Sequence, residues 1–93
     1  MDAYAQAVSN IIKEQQAVIG PVALEQAKKV SGLEVNGSDV KITGNKKEVL
    51  NNLINQYSKL FGKASIEVCK EGFEPFSDKI PASDVPDILK NWP

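Results

Sequence analysis

Cys69 is the only candidate nucleophile in this chain. A thiol attacks as the thiolate, which needs a pKa lowered by a nearby cation or helix N-terminus, usually with a base at hand. The sequence contains no histidine to act as that base and no arginine to grip a phosphate through two parallel bonds. Cys69 also falls late in a helical run, on its apolar stripe, where a buried and inert thiol is expected. Three carboxylates, Glu67, Glu71 and Glu74, recur at spacings of three and four, on one helix face as a metal site would require. Without histidine or a second cysteine only a hard, oxygen-seeking cation would suit them, and no calcium-loop spacing is present. An exposed acidic face is the expected reading, with Asp78, Asp84 and Asp87 serving turns and helix starts.

Charge is nearly balanced over the 93 residues, with 11 lysines against 12 acids. Its distribution is uneven. Residues 41–66 carry five lysines and one acid, whereas 1–40 carry three lysines and five acids, and 67–93 three lysines and six acids. Lys41, Lys46 and Lys47 are therefore the candidate anion-binding set, for a nucleic acid or a phosphate ligand. Against that alternative, cations at a helix N-terminus oppose its dipole and no glycine-rich loop is present to cradle phosphate. A basic middle can instead meet the acidic tail of the same or another chain. The aromatic residues Phe73, Phe76 and Trp92, set among Pro75, Pro81, Pro86 and Pro93, are the candidate partner-binding set. Such side chains carry much of the energy of interfaces. They serve equally to close the chain's own core, and that folding back is the expected outcome in a small domain.

The elements that must position these groups follow from apolar spacing. Tyr4, Val8, Ile11, Ile12, Val18 and Ile19 predict an amphipathic helix over 3–19, ended by Gly20-Pro21. Pro21 can open a second helix through about Val30, with Ala23, Ala27 and Val30 inward. Leu33-Glu34-Val35 and Val40-Lys41-Ile42-Thr43 alternate with period two about Asn36-Gly37-Ser38-Asp39, and so predict a hairpin. With those four residues in the loop, Val35 faces Val40, Glu34 faces Lys41 and Leu33 faces Ile42, a register that pairs like with like and opposite charges. Two strands alone are marginal, so the ribbon must lie on helices or pair across an oligomer. Asn45 and Glu48 have capping-box spacing and start a third helix whose stripe is Leu50, Leu53, Ile54, Tyr57, Leu60 and Phe61. After Gly62 a fourth helix runs from Ala64 to Gly72 with Ile66, Cys69 and Phe73 inward. A loop follows Glu74-Pro75, and Ser83-Asp84-Val85-Pro86 introduces a short last helix with Ile88 and Leu89.

Residues 8–31 and 50–73 match at an offset of 42. Asn10, Ile12, Gly20, Glu25 and Lys28 meet Asn52, Ile54, Gly62, Glu67 and Lys70, and the apolar positions follow. Two readings remain open: a pseudo-duplication, and two amphipathic stripes that coincide once slid into phase. The offset gives Cys69 the counterpart Ala27, a small packing residue.

The run Val18-Ile19-Gly20-Pro21-Val22-Ala23 resembles a phrase found at a helix break in small helical domains appended to bacterial, notably cyanobacterial, signalling proteins. That resemblance implies an accessory regulatory or docking module.

Together these features predict one α+β domain over 1–93, mostly helical, in the order α, α, β-hairpin, α, α, short α. Two bent helix pairs flank the hairpin, and a proline-rich aromatic tail runs over 75–93. The expected function is non-enzymatic protein binding, with another protein or a second copy as homodimer. No cofactor, metal or membrane is expected, and the cytosol is the expected compartment: a lone cysteine forms no internal disulfide, and nothing resembles a signal peptide or a spanning segment.

Overall fold

The Asp2 carboxylate accepts a hydrogen bond from the Ala5 backbone N–H (2.8 Å) and so caps the first helix, α1, over Ala3–Ile19. This bond and Lys46 beside it hold the Asp2 carboxyl below the usual carboxylate range. The computed structural model describes residues 2–36 and 39–90. Helix α2 spans Val22–Lys28, strands β1 and β2 span Leu33–Asn36 and Asp39–Ile42, and helices α3 and α4 span Lys46–Phe61 and Lys63–Phe73. The architecture is mostly helical α+β, with the element order expected from the sequence.

The hairpin has the register derived from its side chains, Leu33 with Ile42, Glu34 with Lys41 and Val35 with Val40. Asn36 and Asp39 also pair, so each strand is one residue longer at the turn than the sequence predicts. Leu33, Val35 and Val40 are buried, and the ribbon lies on α1 and α2. Helix packing thus supplies the support that a second copy could have given.

Asn45 caps α3, its side-chain oxygen accepting from the Glu48 N–H at 2.9 Å. Leu50, Leu53, Ile54 and Tyr57 are fully buried as expected, and Val49 joins them. Two positions of that stripe point elsewhere: Leu60 and Phe61 are 50% and 38% exposed, and Val18 at the end of α1 is 64% exposed. Each lies in the last turn of a long helix, beyond the level that the following helix covers.

Helix α1 packs along α4. A Cβ built on Gly72 would stand 2.7 Å from the Ile11 Cα, so only glycine allows this approach. The Asn10 amide donates to the Gly72 carbonyl at 2.9 Å. The segment expected as a loop after Glu74-Pro75 is a 3-10 helix over Glu74–Lys79, followed by a 3-10 turn, Ala82–Asp84, and helix α5, Asp87–Lys90. Proline suits the opening turn of the first of these, and the Ser77 hydroxyl donates back to the Glu74 carbonyl at 2.9 Å. Ile80, Val85 and Leu89 then join the core. The Tyr4 hydroxyl sits between the carbonyls of Lys46 (2.8 Å) and Asp84 (2.9 Å), tying this tail to the starts of α1 and α3. Among the described residues no helix is long and apolar enough to cross a membrane.

Candidate interaction surface

Gly20 and Gly62 end the two long helices in the same backbone conformation, φ 75° ψ −157° and φ 80° ψ −169°. Side chains with a Cβ are strained there, and glycine is the residue that fits. Each glycine donates its N–H four residues back, to Gln16 (2.9 Å) and Ser58 (2.8 Å). Each carbonyl then accepts from the residue three ahead, Ala23 and Ser65, both at 3.1 Å. The offset of 42 therefore holds in three dimensions at the level of single hydrogen bonds.

The halves also grip one another reciprocally. The Tyr57 hydroxyl, from α3, donates to the Ala23 carbonyl at the start of α2 (2.7 Å). The Gln15 amide, from α1, donates to the Ser65 carbonyl at the start of α4 (2.9 Å). Gln15 and Tyr57 correspond at the offset, as do Ala23 and Ser65, so the two bonds are related as in a two-fold arrangement. All four residues are buried. The Gln15 amide also reaches Cys69 Sγ at 3.3 Å, while its Oε1 is buried without a partner.

These crossed bonds bring both glycine corners to one end of the molecule. Val18, Val22, Leu60 and Phe61, the large apolar side chains exposed there, come two from each corner. The sequence places three of them on inward stripes, so this surface was missed; the signal for it was their position in the final turn before a glycine.

No known family model, curated protein or solved structure matches this chain.

Cys69 is fully buried, and burial pushes its thiol up to about 11. The nearby Tyr57 hydroxyl is likewise raised by burial. Such a thiol is neutral at ordinary pH and poorly disposed to attack. Glu67, Glu71 and Glu74 are exposed, and Glu67 pairs with Lys70 at 3.7 Å. Among the described residues no three acidic, thiol or imidazole groups gather as metal ligands.

Of the anion-binding set, Lys41 and Lys46 line one shallow hollow, together with the Asp2 carboxylate. Lys46 pairs with that carboxylate at 3.3 Å and lies 5.8 Å from the centre of the Tyr4 ring. Lys47 lines a different hollow, beside Asn51 and Pro86. The three ammonium groups do not converge on one site. Of the partner-binding set, Phe73 is in the core and Phe76 is half-buried against it, while Trp92 lies outside the described residues. Phe73 instead forms the floor of a concavity of about 430 Å³, shared with Glu74, Ile80, Ala82, Val85 and Leu89.

Proposed function

We propose that this chain is a non-enzymatic protein-binding module of regulatory type that associates with itself, working in a bacterial cytosol. The observation that carries the reading is the exposure of four large apolar side chains, Val18, Val22, Leu60 and Phe61, two at each of the paired glycine corners. Exposed large apolar side chains are costly in water, and they mark contact sites when they gather at one end of a molecule and are not scattered singly. Two features support the reading further. The Val18–Ala23 phrase, which resembles accessory domains of bacterial signalling proteins, spans one of the two corners. The buried, neutral Cys69 thiol leaves the candidate nucleophile occupied with packing. The phosphate or nucleic-acid alternative is weaker, because the Asp2 carboxylate sits where an anion would have to approach Lys46.

Light scattering on material eluting from a sizing column tests the proposal. The mass should rise above that of a monomer between low and high micromolar concentration, and Val18→Asp with Leu60→Asp should hold it at the monomer. A wild-type chain that stays monomeric at high micromolar concentration removes self-association.

A further inference from the structure

We infer that two copies of this chain join head to tail, the α3–α4 corner of one copy seating in the tail concavity of the next. The inference rests on the self-association reading and adds to it a receiving site and an orientation. The concavity holds about 430 Å³, within the range of pockets that bury a guest, and its floor of Phe73, Ile80, Val85 and Leu89 is apolar. Among the described residues that line it, one is charged, the exposed Glu74 carboxylate, so its rim is negative. A fitting guest is therefore a bulky apolar group flanked by cations.

Among the described residues, one exposed segment has that chemistry. Leu60 and Phe61 are adjacent, exposed, and bracketed by the exposed Lys59 and Lys63. The other corner presents Val18 and Val22 with Glu14 and Glu25 as its nearest charges in sequence, which Glu74 would repel. Within a single molecule the two surfaces cannot meet. The corner lies at the start of α4 and the concavity at its end, and 11 residues of helix set them roughly 16 Å apart. A contact between unlike surfaces does not use itself up on both partners, so association can proceed past the dimer unless the geometry closes a ring.

Two variants that each lose one surface give the test. Leu60→Asp disables the corner and leaves the concavity intact. Glu74→Lys with Ala82→Lys, both at exposed positions, reverses the rim charge, crowds the entrance and leaves the corner intact. Circular dichroism and a melting curve verify that each variant folds. Each alone should weaken self-association by at least about tenfold, and an equimolar mixture should form a one-to-one dimer that grows no further. Wild-type association should also weaken as salt rises, since exposed charges are screened. If the wild type associates but the mixture stays monomeric, or if the concavity variant associates as the wild type does, the inference fails while self-association stands. A monomeric wild type overturns both.

Discussion

At the first corner α1 ends on Val18 and Ile19, turns through Gly20 and sends α2 away; at the second, α3 ends on Leu60 and Phe61, turns through Gly62 and sends α4 away. The backbones agree in dihedral angles and in hydrogen bonding, yet the groups that fasten the corners together differ. Tyr57 brings a large apolar ring and a single donor, and that donor is used. Gln15 brings an amide whose donors find Ser65 and Cys69 but whose oxygen finds nothing. The constant element is the receiving carbonyl at the start of the next helix. The side chain that reaches it is free to vary, provided it fills the space.

The widest split between the halves should appear on removing these two groups. Tyr57→Ala empties a fully buried site and should cost about 3–5 kcal/mol in urea denaturation, as large-to-small core changes of this size do. Gln15→Leu at the corresponding position should fall within about 1 kcal/mol of wild type or stabilise, because it removes a buried oxygen that lacks a partner. Equal losses would mean that the corners are fastened alike. At the glycines the halves should instead agree. Gly20→Ala and Gly62→Ala each force a Cβ into the same strained conformation and should each cost about 1–3 kcal/mol. A marked inequality between them in the same denaturation assay would break the correspondence.

The smallest effect concerns the pair Ala27 and Cys69. The fold holds the Cys69 thiol neutral, with its pKa raised from an ordinary value near 9 to about 11. Its contribution is intact below pH 9, where the unfolded chain's thiol is neutral too. It fades as pH climbs from 9 towards 11, where the unfolded thiol ionises and the folded one resists. Melting temperature should therefore fall over that window, and Cys69→Ala, which copies the first half, should fall less steeply. Both tyrosine hydroxyls are also raised by burial, so some decline above pH 10 should persist in the variant.

Much of this frame is legible in the residues because it is local. The hairpin register follows from matching Glu34 with Lys41, the start of α3 from Asn45 and Glu48, and the bends from Gly20 and Gly62. The interaction surface is less legible for a physical reason. Apolar spacing reports which face of a helix is inward but not where its cover stops, so Val18, Leu60 and Phe61 read as core. The tail was hidden for another reason: bonds between residues three apart, as from Ser77 to Glu74, leave no long periodic stripe. Its concavity joins Phe73 to Leu89 across a change of direction that spacing does not carry. Likewise, apolar spacing does not announce that Lys70, paired with Glu67, is buried.

The contact of Gly72 with Ile11 has a mechanical consequence. Helices this closely meshed cannot slip past one another by a turn, as some switching proteins require of theirs. Helices α1 and α4 therefore behave as a single rod with a corner at one end and a concavity at the other. A load applied at either end is delivered to the other as tilt or rotation of the whole rod, with little lost to shear between its parts.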